Sequence, residues 1–376
     1  MTETLLQGVR VVDLAGEPAA MTGRILADLG AEVVRVAPPT GDPLAGLPPN
    51  GPDGSLRQLA WGVGKTTLCV QGADDPRLEE LLAGADLVLC TPGWPGVLEL
   101  DPTAAPHASW VLVTPFGGRG PRSTWKASDL GVMASTGNMY CTGDPDRAPV
   151  RCSEPSAWSH VGPETAFAAL SALASGRPQV VDVSAQEVVM IASMGHVARF
   201  PRTGNRGKRS GANIGVTREI WPCADGFVSF GLRGGKARVS NLQTITRLVS
   251  EDGIEAPALV GRDWTTYDHN KATTEELDAI SAPIAEYFRR HTMAELYETA
   301  CATNLMLAPA NSPVQLIQSA QLAAREFFVP WGKVEHLPRS FVITTSRDGA
   351  LQRPGPRPMA DGDRLPRWPV RVASSG

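Results

Sequence analysis

A chain of 376 residues is too long for one minimal domain and suits two, at roughly 150 residues each. With 42% hydrophobic and 20% charged residues it has ordinary globular composition, which excludes wholesale disorder and fibrous repeats. A net charge of −4 gives no field favouring phosphate backbones or anionic lipid, no apolar run approaches the roughly 18 residues of a membrane span, and MTETLLQGVRVVDL has no basic start before an apolar core. Neither nucleic acid nor membrane is an expected partner, and a cytoplasmic protein is the expectation.

In chain order, VRVVDL (9–14) predicts a buried strand, PAAMTGRILADLG a helix closed by Gly30, and AEVVRV (31–36) a second strand, together a βαβ unit. PPTGDPLAGLPPNGPDGS, dense in Pro and Gly, predicts a long surface loop. DPRLEELLAGA predicts a helix, and ADLVLC (85–90) and SWVLVT (109–114) further strands, so a parallel sheet covered by helices is the economical architecture. PETAFAALSALASG reads as a helix, QVVDVS as a strand and AQEVVMIASMGHVARF as a long helix. The basic, glycine-rich FPRTGNRGKRSGANIG (200–215) breaks the pattern and reads as a linker, either a solvated loop or a clamp on a phosphate-bearing ligand. A short β segment from IWPCADGFVSFGL and then helices (NLQTITRLV, TEELDAISAPIAEYFRRH, TMAELYETA) suit a smaller domain, and WGKVEH, FVITT and a Pro/Arg-rich tail read as strands and extended chain. The expected division is a large α/β domain over 1–200, a linker over 201–220, a smaller α+β domain over 221–325, and a C-terminal return to the large domain over 326–376.

Several motifs fail on inspection. GVGKTT (62–67) lacks the phosphate loop's first glycine, whose position is Leu59. The first βα turn, DLAGEPAA, lacks G-x-G-x-x-G, so dinucleotides are not expected. No G-x-S-x-G or H-E-x-x-H occurs. Cys69, Cys90, Cys141, Cys152, Cys223 and Cys301 form no C-x-x-C and the histidines have no ligand spacing, so reduced cysteines and no metal are expected.

Six phrases in fixed order carry a resemblance: LQGVRVVDL, LADLGAEVVRVAPPTGD, VTPFGGRGP with SDLGVMASTGNMYCTGDPDRAPVR, RPQVVDVSAQE, WPCADGFV, and LAPANSPVQLIQSAQLAAREFFV. Over residues 6 to about 330 the chain resembles the family III CoA-transferases (CaiB/BaiF type), the group of formyl-CoA transferase, carnitine CoA-transferase and α-methylacyl-CoA racemase. The resemblance implies a large Rossmann-like α/β domain built from both chain ends, a smaller α+β domain between, and an interlocked-ring dimer. It implies acyl-CoA thioesters as substrates, the nucleotide lying against the large domain, and an aspartate that attacks the thioester carbonyl to give a mixed anhydride. A carboxylate suits that role because its acyl adduct is readily reopened by thiolate or carboxylate.

The chain departs from this pattern where the chemistry lies. Matching APVR (148–151) to the family phrase PVR-x6-D-x3-G keeps Gly162 in register and puts Trp158 where the nucleophilic aspartate belongs, an indole expected to fill the acyl pocket. The racemase branch has a histidine just before the aspartate of the phrase SDL; that position is Ser128, while Asp129 is retained. By resemblance, Lys65, Arg35, Trp94, Phe116 and Gly117 would face coenzyme A. GVGKTT keeps only Lys65 of N-R-x-K-R-S, and TPGWPG has Trp94 at the arginine of E-N-F-R-P-G, so weaker coenzyme A binding is expected. Glu154, His160 and Glu164 flank the missing carboxylate: Glu154 could stand in for it, and His160 with Glu164, four residues apart, could pair on one helix face or merely cap the helix.

Three functions remain open at this point. One is a CoA-transferase using Glu154 or a partner's residue as acyl acceptor. Another is a non-catalytic subunit, with a degenerate active site, in a homodimer or in a heterodimer with a catalytically complete paralogue. The last is a redirected acyl-CoA racemase, hydratase or lyase working through His160 and Asp129, by proton transfer at the α-carbon.

Overall fold

The computed structural model describes residues 4–343, 357–359 and 365–371. The chain divides into two compact units, one comprising residues 1–140, 151–207 and 319–376, the other residues 141–150 and 208–318.

The first unit is organised by apolar strands that alternate strictly in the face they bury. The strands β1 (Arg10–Leu14), β2 (Glu32–Ala37), β3 (Lys65–Cys69), β4 (Leu87–Cys90), β5 (Ser109–Thr114) and β6 (Val180–Ser184) join a C-terminal strand, Arg357–Pro358, in one seven-stranded sheet. All its pairings are parallel, in the order C-terminal strand–β3–β2–β1–β4–β5–β6. Because successive side chains point to opposite faces, Val11, Val33, Leu87, Leu89, Val111 and Val113 enter one core while Val12, Val34, Val36, Val88 and Trp110 enter the other. Burial on both faces is why β1, β2, β4 and β5 read as largely apolar runs.

Helices α1 (Ala20–Asp28), α2 (Leu56–Gly62), α3 (Pro76–Gly84), α4 (Asp129–Ser135), α5 (Ser156–Ala174), α6 (Ala185–Met190) and α7 (Met194–Thr203) belong to the same unit, as does a short helix, Ala320–Ala324. Helices α1 and α5 approach closely at Gly162, where any β-carbon would lie 2.7 Å from Cβ of Met21, and Thr22 Oγ1 donates to the Gly162 carbonyl at 3.0 Å.

Three expectations shift. The helix expected from Pro163 begins at Ser156, leaving Pro163 inside it. The long helix expected over AQEVVMIASMGHVARF is α6, a 3₁₀ turn at Ile191–Ser193 and α7, which runs on to Thr203. The Pro/Gly-rich loop holds a 3₁₀ turn, Pro43–Gly46, and a hairpin of Asn50–Gly51 with Gly54–Ser55. WGKVEH contributes to the hairpin Phe328–Trp331 with Val334–Pro338; of FVITT, residues 341–343 have no regular structure and 344–345 lie outside the described residues.

The second unit has an antiparallel sheet of Ile220–Pro222, Phe227–Phe230 and Leu307–Pro309, and helices Val239–Glu251, Thr274–Arg290 and Met293–Thr303. Its core centres on Phe288, packed edge-on against Trp221 and Phe230, and the Trp221 indole N–H donates to the Phe230 carbonyl at 2.7 Å. No helix among the described residues is long and apolar enough to cross a membrane.

Candidate active site

In parallel sheets ligands bind beyond the carboxyl ends of the strands, where the chain order reverses. Here that point lies beside β1, with β2 on one side and β4 on the other. The Gly16 N–H donates to Thr91 Oγ1 at 2.6 Å and ties the loops after β1 and β4 together. Just beyond β4 and β5 opens a cleft of about 580 Å³, walled by Pro92–Pro95, Thr114, Pro115 and Ser123–Ser128. Trp94 and Trp125 give it aromatic walls, and Lys126 is the cation in its lining. Thr114 is only 8% exposed, and its hydroxyl has no hydrogen-bond partner among the described residues.

Of the residues expected to face coenzyme A, Trp94 lines the cleft, and Phe116 packs edge-on against Trp125, which also lines it. Gly117 sits just ahead of Gly118, whose N–H donates to both Asp182 carboxylate oxygens at 2.9 Å. Lys65 and Arg35 are placed elsewhere, inside the core. Lys65 Nζ donates to Asp13 Oδ2 at 2.7 Å and to the Ala20 carbonyl at 2.8 Å; Arg35 bonds Asp13 at 3.3 Å, Asp42 at 3.0 Å and the Ala15 carbonyl. Burial pulls the Lys65 ammonium below its ordinary value against the attraction of Asp13. Burial also opposes the Arg35 charge, but Asp13 and Asp42 more than offset it and hold that guanidinium above its usual range. Gly23 leaves room for this cluster, since a β-carbon there would meet Asp13 Oδ2 and lie 2.8 Å from Lys65 Nζ. Neither cation is in the cleft wall; Lys65 faces Asp13, and Arg35 faces Asp13 and Asp42.

Trp158 is 2% exposed and belongs to the core between α5 and the sheet, with its ring edge-on to Trp94 at 5.7 Å and 87°. The indole closes the cleft from behind Trp94 and is not among the cleft's lining residues. His160 and Glu164 are both exposed, and no hydrogen bond joins them among the described residues.

Asp129 reaches the first turn of α5, where its Oδ2 accepts the Trp158 N–H at 3.1 Å. Burial raises its carboxyl above the ordinary value, opposed by the N–H groups of Trp158, Ala157 and Ser156 and by Arg57. Arg57 forms a fork: Nη1 bonds Glu17 at 3.0 Å and Nη2 bonds Glu154 at 3.3 Å. Glu154 is 79% exposed, so its half of the fork is a weak surface contact. Glu17 is mostly covered, and burial raises its carboxyl against the pull of Arg57, with the charge of Asp129 adding to the rise. Sequence reading missed Glu17, Arg57 and Lys126. The one available signal for Glu17 was its place in the turn after the first strand, where α/β folds bind ligands.

The model of CoA-transferase family III matches residues 6–364. Succinyl-CoA:(R)-benzylsuccinate CoA-transferase subunit BbsE of Thauera aromatica is 30% identical over 338 residues, covering 85% of this chain and 82% of that protein. Succinate–glutarate CoA-transferase of Agrobacterium fabrum is 28% identical over 386 residues, covering 94% and 92%. A CAIB/BAIF family protein from Brucella suis has the same fold, with a TM-score of 0.78 at 21% identity over 94% of this chain and 96% of that one.

Proposed function

The chain belongs to CoA-transferase family III, and on that premise we propose that it binds acyl-CoA thioesters in the cleft beyond β4 and β5 and serves as one subunit of a transferase whose attacking carboxylate comes from a partner chain. What supports this reading is the buried indole of Trp158, packed edge-on against Trp94, at the position that the resemblance to the phrase PVR-x6-D-x3-G assigns to the nucleophilic aspartate. Indole nitrogen has no available lone pair with which to open a thioester, and the carboxylate next to it, Asp129, is engaged by the Trp158 backbone N–H. The Thauera aromatica relative is itself named as a subunit of a CoA-transferase. The chain path, which leaves the first unit and re-enters it twice, suits subunits threaded as linked rings.

The cleft suits the substrate. Its aromatic walls fit a planar base or an apolar acyl chain, and Lys126 offers a point charge to phosphate. Lys126→Ala is expected to weaken acyl-CoA binding about tenfold, the low end for one charge-assisted contact at an exposed site. Titration calorimetry at two salt concentrations checks this, since the lost contact should also flatten the salt dependence.

The subunit reading is tested by incubating the chain with acyl-CoA and hydroxylamine, first alone and then with candidate paralogues that retain the aspartate. Alone it should yield no protein hydroxamate; with its partner, the hydroxamate should map to the partner's aspartate. A self-dimer that forms hydroxamate on one of its own acidic side chains would overturn the reading.

A further inference from the structure

We propose that Glu99 and Asp182, two carboxylates outside the cleft lining, are positioning residues that hold the two lips of the cleft in the conformation that receives an acyl-CoA. The inference deepens the reading above and rests on it for one point, that acyl-CoA occupies this cleft. One lip is the turn after β4, residues 91–97, which brings Gly93 and Trp94 to the lining. The other is the loop after β5, residues 115–125, which brings Pro115 and Trp125 to it and leads on to Lys126.

Neither lip lies in a helix or strand, and both are rich in Pro and Gly, so few ladder or helix bonds hold their main chain. Each is pinned at its root by the fold: Thr91 Oγ1 accepts the Gly16 N–H, and the Pro115 carbonyl accepts the Gln186 N–H from α6 at 2.9 Å. Beyond the root, one carboxylate holds each lip. The Gly93 N–H donates to Glu99 Oε1 at 2.7 Å, and the Gly118 N–H donates to both Asp182 oxygens at 2.9 Å. Hydrogen bonds to an ionised acceptor are the strong ones. Gly93, at φ +71°, and Gly117, at φ +85°, adopt the left-handed backbone open to glycine, so each carboxylate meets the chain where it turns.

These bonds reach the cleft through its aromatic walls. Glu99 fixes the residue before Trp94, and Asp182 fixes the segment whose Phe116 packs edge-on against Trp125 at 6.3 Å. The lips converge at Lys126, whose Cε would lie 3.9 Å from a β-carbon at Gly93. Glu99 and Asp182 are themselves exposed and absent from the lining, so removing either costs the fold little. What each bond contributes is order in a lip that the ligand would otherwise have to order at the expense of its own affinity.

The test compares the purified full-length chain with Glu99→Ala, Asp182→Ala and the conservative Glu99→Gln and Asp182→Asn, which keep an accepting oxygen. Propionyl-CoA binding is measured by calorimetry, amide hydrogen exchange by mass spectrometry, and stability by thermal unfolding. Each alanine variant should bind about five- to tenfold more weakly, and each conservative variant should stay within about twofold of the wild type. All four should unfold within about 2 °C of it. Without ligand, exchange should rise over residues 91–97 in Glu99→Ala alone and over 115–125 in Asp182→Ala alone, and saturating propionyl-CoA should restore protection in both. A merely structural carboxylate would instead raise exchange across β4, β5 and β6 and lower the unfolding temperature. Unchanged binding in either alanine variant, or exchange spread over the sheet, overturns the positioning role and leaves the cleft reading intact. Absence of propionyl-CoA binding by the wild type overturns both.

Discussion

Asp13→Ala is expected to cost about 3–5 kcal/mol of folding stability, the range for removing one partner of a buried ion pair. Asp13 is fully buried, accepts from Lys65, Arg35 and the Ala15 N–H, and has no water-facing alternative for any of them. Its loss leaves the Lys65 ammonium with the Ala20 carbonyl and the Arg35 guanidinium with Asp42, one carboxylate for two buried cations. Against a total stability of about 5–15 kcal/mol, that is enough to unfold a large share of the population. Urea unfolding followed by far-ultraviolet circular dichroism measures it, and a loss below about 1 kcal/mol would mean that water already reaches the cations. Acid should act on the same cluster through Asp42. Burial works against its charge, but Arg35 and the Leu44 N–H hold its carboxyl below the ordinary 3.8. The unfolded chain therefore takes up the proton first, so this contribution is complete above pH 3.8 and is lost as pH falls through the lower folded value. Asp42→Asn should flatten that part of the acid-side slope.

That cluster also marks where sequence reading stops. The strands β1, β2, β4 and β5 were legible because burial on both faces writes an apolar run into the sequence, and β6, an edge strand with Val180 and Asp182 exposed, because its valines still mark it. Strand β3 was not, because KTTLC carries a lysine and two threonines and its burial depends on Asp13, 52 positions earlier. Lys65 and Arg35 were assigned to a ligand by resemblance alone, and it is the register of β1 against β2 and β2 against β3 that brings them to Asp13. The start of α5 was misplaced for a related reason. Pro163 followed by an alanine-rich run mimics a helix start, whereas the true first turn is supported by Asp129, 29 positions away. No local pattern reports a cap supplied from another element.

The candidate site was legible only in part. Asp129 and Trp94 emerged from phrases matched to a family, and both lie at or beside the cleft. Glu17 and Arg57 are 40 residues apart, and neither has a motif of its own; their meaning arises when the turn after β1 meets α2. His160 and Glu164 had suitable helical spacing, yet spacing sets a shared face and not a shared bond, and both side chains remain exposed.

Trp158→Asp should fail to create a transferase, and the reason lies in packing. Emptying the space of a buried tryptophan costs about 3–5 kcal/mol in itself. A carboxylate placed there must also give up hydration in an apolar core built from Ala157, Val161, Val132 and Met133, worth several kcal/mol more. Its own backbone N–H is already held by Asp129, so a second negative charge would arrive beside the first. The expected result is a chain that melts far below the wild type and forms no hydroxamate with acyl-CoA and hydroxylamine, while Trp158→Phe, which keeps an aromatic ring beside Trp94, loses much less stability. The double variant Trp158→Asp, Trp94→Gly separates stability from access, because it opens a path from the cleft to position 158. If the single variant Trp158→Asp instead stays folded and forms a hydroxamate at position 158, the indole blocks the site only sterically, and an attacking carboxylate from a partner chain is no longer required.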